Sequence, residues 1–334
     1  MTITHRNDVV TQASRGPLVV RLCNWVGEVV LSVPALKRLE TAGYHLHLYG
    51  KSWAPGLLEG FGWPVTVRRG GIPTAIDQLR GLRRTIAGDG TPPALLFTKS
   101  LSSALETRWA GFRPQGYAYD GRSWLLTRAH PMPATTHMAR SYWHLVDCFL
   151  DETASPPATL DWRASVAQQA AASALLSQHR LRRSEFVLLC PFSGSDDTEN
   201  RKVWPGYAAL ARACHSRGIA VVVCPGPGEE IAARSLLPNA VCLTGVDLGV
   251  YGALATLARC TVANDTGPGH LAAAAGARLI SLYGPRSSRQ WTPIGPAVSW
   301  LQNTETWPSP EQVEALMDET TGGAVAPRPE GGHA

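Results

Sequence analysis

The chain has 334 residues, room for two domains of ordinary size, with 44% hydrophobic residues, 17% charged residues and a formal net charge of +5. That balance excludes a disordered chain, and no apolar run reaches the ~18 residues that a membrane-crossing helix requires. Seven cysteines are scattered without a CxxC pair, so they read as small buried hydrophobes, and neither a metal nor another cofactor is expected.

The first 16 residues are polar, lack the apolar core of a secretory signal and are expected to be disordered, which points to a soluble cytoplasmic protein. "PLVVRLC" from Pro17 is the first strand; the loop "NWVGE" and the helical pattern "VVLSVPALKRLETAG" follow, with Gly43 as the stop. "YHLHLYG" alternates as a strand does, "PVTVRR" is a further strand, and a basic helix is centred on 76–86. "ALLFTKS" reads as a strand ending in a polar turn, with "SSALETRWAG" as the next helix. Arg68, Arg69, Arg80, Arg83 and Arg84 cluster in this stretch, as a solvated face or as a surface for phosphates or an anionic membrane. No RNP-like aromatic motif or helix-turn-helix pattern accompanies them, so nucleic acid is not an expected partner.

The paired prolines of "DETASPPATLDW" mark a linker, and "ASVAQQAAASALLSQHRL" a helix leading into a second domain. There the strand–loop–helix grammar repeats: "FVLLCPFSGS", "GYAALARACHSRG", "IAVVVCPGPGEE", "EIAARSLL", "AVCLTG", "GVYGALATLARC", "TVAND" and "ARLISLYG". Near-continuous apolar strands fit parallel sheets buried on both faces, so the expected class is α/β with two doubly wound domains and a cleft between the carboxyl ends of their strands. "SPEQVEALMDE" closes the pattern as an amphipathic helix, before a tail, 321–334, expected to be disordered.

Four loops carry chemistry. In "NDTGPGH", Asp265, Thr266, Gly267, Gly269 and His270 stand at a helix N-terminus, where free N–H groups and the helix dipole favour an anion and glycine permits close approach. A capped helix alone explains Asp265 or Thr266, but not two glycines and a histidine. In "PFSGSDDTENRKVWP", Ser193 and Gly194 can turn beneath a phosphate and Lys202 can supply a point charge. In "GPGEE", Glu229 or Glu230 suits the paired hydroxyls of a ribose, or merely complements a helix dipole. In "NWVGEVVLSVPAL", Gly27 and Glu28 fall at the first strand-to-helix turn; Glu28 is either a base for a substrate hydroxyl or a helix-start carboxylate.

Taken together, G-E-x-x-L-x-x-P-A-L, K-x-W-P, G-x-x-E, N-D-T-G-P-x-H-L-A-A-A and G-P…W-T-P resemble glycosyltransferase family 9, the bacterial heptosyltransferases of lipopolysaccharide core assembly, from about Val19 to Glu319. The first half is most similar to the heptosyltransferase II type within that family, through "WVGEVVLSVPAL" and "FTKSLSSALETRWAGFRPQGYAYDGRSWLL". The resemblance implies a GT-B fold, in which two Rossmann-like domains face each other across a cleft. It divides the chain into an acceptor-binding domain (17–153), a linker and leading helix (154–184), a nucleotide-sugar-binding domain (185–305) and a final helix (306–320) crossing back to the first domain. It further implies inverting, metal-independent transfer of heptose from ADP-heptose to a lipid-linked inner-core glycan, by a monomeric enzyme at the inner membrane face. Glu28 would be the base and Lys202 the grip on the diphosphate. Ser193, Gly194, Asp265, Thr266, Gly267 and His270 would line the donor, and Glu229 or Glu230 would meet the ribose. Gly27, Thr98, Lys99 and Ser100 would lie on the sugar and acceptor side. The family usually carries Asp where this chain has Glu28, one methylene longer. Another nucleotide sugar with another surface glycan, or an inactive nucleotide-sugar binder, are the alternatives to this reading.

Overall fold

The computed structural model describes residues 14–134, 137–192, 203–285 and 287–322. Two six-stranded sheets, all parallel, form its frame. The first comprises β1 (Gly16–Arg21), β2 (Tyr44–Gly50), β3 (Val65–Val67), β4 (Pro93–Leu96), β5 (Arg113–Tyr117) and β6 (Arg128–His130), in the order β3-β2-β1-β4-β5-β6. The second comprises β7 (Phe186–Cys190), β8 (Ala220–Val223), β9 (Val241–Cys242), β10 (Cys260–Asn264), β11 (Leu279–Tyr283) and β12 (Val298–Gln302). Its order, β12-β11-β10-β7-β8-β9, is the same doubly wound arrangement.

The helices are α1 (Val26–Thr41), α2 (Ala54–Leu58), α3 (Ile72–Ala87), α4 (Leu101–Trp109), α5 (Met138–Leu150), α6 (Val166–Gln178), α7 (Tyr207–Ser216), α8 (Glu230–Leu236), α9 (Leu248–Leu257), α10 (Gly267–Ala274) and α11 (Pro310–Thr321). Central strands are buried throughout, as Phe186–Cys190, Cys260–Asn264 and Leu279–Tyr283 illustrate. That is why they read as unbroken apolar runs. The sequence pattern does not reveal β5, β6, β12, α2 or α5. β5 contains Pro114 and Gly116, β6 is a three-residue edge strand, and β12 is a half-exposed edge strand. None of them has the apolar signature of a central strand.

α1 is buried around most of its circumference, from Gly27 through Leu39. It lies beneath the first sheet, packs along α5, and meets α10 of the second half. A helix covered on several sides needs no polar face. α3, an outer helix, buries only Ala75, Ile76 and Leu79. A second junction lies at the other side: α6 and α2 pack against α9. There Gln168 Nε2 donates to the Gly56 carbonyl (2.7 Å), and Trp162 Nε1 donates to the Leu57 carbonyl (2.8 Å).

α11 packs on α7, β11 and β12. Val313 and Met317 are wholly buried in the same cluster as Val187, Leu189, Trp204 and Leu210, and Asp318 pairs with Arg217 at 2.5 Å. Its apolar stripe is thus satisfied by the second domain. The terminal segments expected to be disordered fall outside the described residues, except 14–16 and 321–322.

Candidate active site

In a doubly wound sheet the crevice opens where the strand order reverses. In the first sheet that point lies between β1 and β4, and in the second between β7 and β10. The loop after β1 leads to Gly27 and Glu28, and the loop after β4 holds Thr98, Lys99 and Ser100. The loop after β7 includes Ser193, Gly194 and Lys202, which lie outside the described residues. The loop after β10 leads to Asp265, Thr266, Gly267 and His270. Glu229 and Glu230 follow β8, next to β7.

The two crevices meet because the N-termini of α1 and α10 touch. A Cβ on Gly27 would fall 2.7 Å from Cδ2 of His270, and one on Gly267 would fall 2.7 Å from Cβ of Val26. These glycines therefore serve close approach of one domain to the other. The space before Gly269 is taken by Ala263 and the Asn264 carbonyl, so that glycine seats α10 against its own sheet.

Thr266, not Asp265, caps α10: its Oγ1 accepts from the Gly269 amide at 3.4 Å. Asp265 is thereby released, with Oδ1 3.6 Å from His270 Nε2. His270 is 4% exposed, and its Nδ1 is buried with no hydrogen-bond partner among the described residues. A buried, unsatisfied imidazole nitrogen at a helix N-terminus is a group prepared for a ligand.

Asn264, to which the sequence pattern assigns no role, anchors the loop between β7 and α7. Its Oδ1 accepts from the Trp204 amide (3.1 Å) and its Nδ2 donates to the Pro191 carbonyl (2.9 Å). Both flanks of the 193–202 segment are thus tied to β10. Trp204 is buried and donates through Nε1 to the Pro308 carbonyl (2.7 Å), fixing the chain two residues beyond Lys202. The polar end of an otherwise apolar strand is the signal that identifies such an amide.

Glu229 and Glu230 turn back on their own loop: Glu229 Oε2 accepts from the Gly226 amide (2.8 Å) and Glu230 Oε2 from the Gly228 amide (2.9 Å). On the first domain, Ser100 caps α4, accepting from the Ser103 amide, a structural role that its sequence context does not reveal. Thr98 is 6% exposed, its Oγ1 without a hydrogen-bond partner among the described residues, and Lys99 lies over the Tyr119 ring at 5.7 Å.

Glu28 occupies the third position of α1, where its carboxylate also accepts from the backbone of Trp25, the N-cap residue. Burial raises its pKa above the ordinary glutamate value; the Tyr142 phenol, the Lys99 charge and the Trp25 amide oppose that rise without cancelling it. The Tyr142 hydroxyl donates to Glu28 Oε1 at 3.2 Å from α5. On the same helix, His137 Nδ1 accepts from the Ala139 amide, so Nε2 carries the proton and donates to the Thr292 carbonyl of the second domain at 2.9 Å. Burial, with His270 and Arg140 nearby, lowers the His137 pKa despite the Thr292 carbonyl. Neither Tyr142 nor His137 stands in a motif, because what matters is the helix against which each packs. Among the described residues no group of three His, Cys, Asp or Glu is placed to hold a metal ion, and no helix is long and apolar enough to cross a membrane.

Residues 80–320 match the family model described as glycosyltransferase family 9 (heptosyltransferase). The chain belongs to glycosyltransferase family 9. A curated relative, lipopolysaccharide heptosyltransferase 3 of Escherichia coli, is 34% identical over 102 residues, a stretch covering 28% of this chain and 30% of that relative's length. The fold resembles a family 9 glycosyltransferase from Veillonella parvula (TM-score 0.79, 18% identity, 93% of this chain and 98% of that one). It also resembles E. coli ADP-heptose lipopolysaccharide heptosyltransferase II (TM-score 0.76, 20% identity, 91% and 98%). A third structure, E. coli heptosyltransferase WaaC with ADP-2-deoxy-2-fluoro heptose, matches at TM-score 0.69 and 18% identity, over 91% of this chain and 99% of that one. This family 9 chain thus has the GT-B fold, two Rossmann-like domains with their switch points opposed.

Proposed function

We propose that this family 9 enzyme transfers a heptose from ADP-heptose to an inner-core lipopolysaccharide acceptor with inversion at the anomeric carbon. The observation that carries the reading is the meeting of the two switch points, a buried carboxylate on one side and, on the other, a helix N-terminus whose histidine nitrogen has no partner among the described residues. Glu28 takes the proton from the acceptor hydroxyl as that oxygen attacks. ADP departs from the opposite face of the sugar. Lys202, His270 and the α10 N-terminus meet the charge that grows on the diphosphate, the type of preorganised stabilisation that contributes most to many enzymes. Ser193, Gly194, Asp265, Thr266 and Gly267 complete the donor side, and Glu229 or Glu230 exchanges its loop amide for the ribose hydroxyls. Gly27, Thr98, Lys99 and Ser100 border the acceptor. The structural relatives, which include an ADP-heptose enzyme and a complex with an ADP-heptose analogue, support the choice of donor. The protein acts as a monomer in the cytoplasm, reaching its lipid-linked acceptor at the inner membrane face without a membrane-crossing helix, and needs no metal.

The test is ADP release by purified protein with ADP-heptose and a truncated inner-core lipopolysaccharide, with other nucleotide sugars in parallel and with EDTA present. ADP-heptose should be turned over fastest, unaffected by chelation. Faster turnover of another nucleotide sugar overturns the donor assignment, binding without transfer identifies an inactive relative, and loss of activity with EDTA overturns the metal-free mechanism.

A further inference from the structure

Glu28 reaches the junction on a flexible side chain, and a base must come within ~2.6–3.2 Å of the proton it removes. Something has to hold it. The groups around it come from every neighbouring element: Cys23 just beyond β1, itself near Arg21, the Trp25 amide, Lys99 after β4, Tyr142 on α5, and, across Gly27, His270 of α10 with Asp265 and His137 beyond. Among these, Tyr142 makes the side-chain hydrogen bond to the carboxylate, at 3.2 Å.

Tyr142 is itself immobilised. It is 2% exposed, its ring lies 5.4 Å from that of Phe97, and Cys23 Sγ is 3.3 Å from its hydroxyl. A phenol has one proton to donate and lone pairs to accept with. The thiol of Cys23, just beyond β1, has both the phenol oxygen (3.3 Å) and the Phe97 carbonyl (3.4 Å) as acceptors, and the phenol donates its one proton to Glu28. Burial pushes both the phenol and the thiol above their ordinary pKa ranges, so both are neutral throughout the range in which the carboxylate titrates. α5 packs along α1, so the phenol and the carboxylate are carried by two helices that cannot shift independently.

We propose that Tyr142 is a positioning residue for the Glu28 carboxylate, holding one of its oxygens through the phenol and so fixing the direction in which the group meets an acceptor hydroxyl. This rests on the reading of Glu28 as the base. A neutral donor suits that role, because it orients and stabilises the charged carboxylate without neutralising it as an ion pair would. Removing it leaves the desolvated carboxylate harder to ionise and free to rotate.

The test uses Tyr142→Phe, which keeps the ring and its packing on Phe97. Carboxyl carbon NMR of glutamate-labelled protein, with the Glu28 signal identified by its absence from Glu28→Gln, gives the titration midpoint without any substrate. The midpoint should rise by about one pH unit in Tyr142→Phe, the size expected for loss of a hydrogen bond to a charged group. 3-Fluorotyrosine at position 142, a stronger donor of nearly the same size, should lower it, and this arm stands if the Phe variant does not fold. With ADP-heptose and truncated inner-core lipopolysaccharide, kcat of Tyr142→Phe should fall about tenfold with KM for ADP-heptose within about twofold, and the acid limb of its pH profile should move up. A Glu28 midpoint that moves in neither variant overturns the proposal. Full activity in Glu28→Gln overturns the assignment of the base instead, and the NMR arm reports on Tyr142 separately.

Discussion

The two switch points have the same topology and opposite preparation. At the first, the α1 N-terminus holds a carboxylate whose pKa is raised by burial. At the second, the α10 N-terminus carries no acidic residue in its first turn and leaves a histidine nitrogen without a partner among the described residues. Helix dipoles favour negative charge at both places. The first places that charge within the first turn of its helix; the second holds Asp265 just before the cap, 3.6 Å from His270, and keeps the first turn itself free of acid. The same strand topology can thus prepare one half for a proton and the other for an anion, by the choice of a few side chains.

The largest effect expected to test this contrast is on Glu28→Gln. If the first half handles the proton, turnover should fall by ~10²–10⁴-fold with little change in donor affinity, measured by steady-state kinetics and by titration of ADP binding. Lys202→Ala probes the other half: turnover should fall by about 10²-fold or more, with ADP binding weakened as well. Unchanged turnover would remove Lys202 from the mechanism.

Gly27→Ala tests the contact between the halves. Its Cβ would lie 2.7 Å from the His270 ring, so the junction must open or the ring must move. The cost should be about 1–3 kcal/mol, read by chemical denaturation, with activity reduced as well. Gly267→Ala should behave alike through Val26.

The pH dependence has a definite sign. Because the Glu28 pKa is raised in the folded protein, activity should be lost on acidification through a midpoint above the ordinary glutamate value. Stability runs the other way. The unfolded chain ionises Glu28 more readily, so this residue destabilises the fold as pH rises from the unfolded value through the raised one. Glu28→Gln should therefore melt slightly higher than the parent at neutral pH and show no such gain in strong acid. A carboxylate that lowers stability while it serves turnover is expected of a functional group and not of a helix cap. The smallest effect belongs to Asp318→Asn, which breaks the partly exposed pair with Arg217 far from either switch point. It should cost less than about 1 kcal/mol and leave turnover unchanged.

Much of this organisation is legible in the chain itself. Buried parallel strands such as Phe186–Cys190 announce themselves because both faces are covered, so every position is apolar. The loops after them are legible because glycine, acid and histidine cluster where a dipole favours ligands. The sequence thereby determined the two doubly wound halves, their family and the short runs around Glu28 and His270. Tertiary structure alone decided that Gly27 and Gly267 abut the opposite domain, that Asn264 anchors both flanks of the loop carrying Lys202, that Tyr142 holds Glu28, and that α11 packs on α7, β11 and β12. The physical reason is range: strand periodicity and helix capping act within a few residues, whereas a tyrosine 114 positions from its glutamate becomes its partner only when packed helices bring them together.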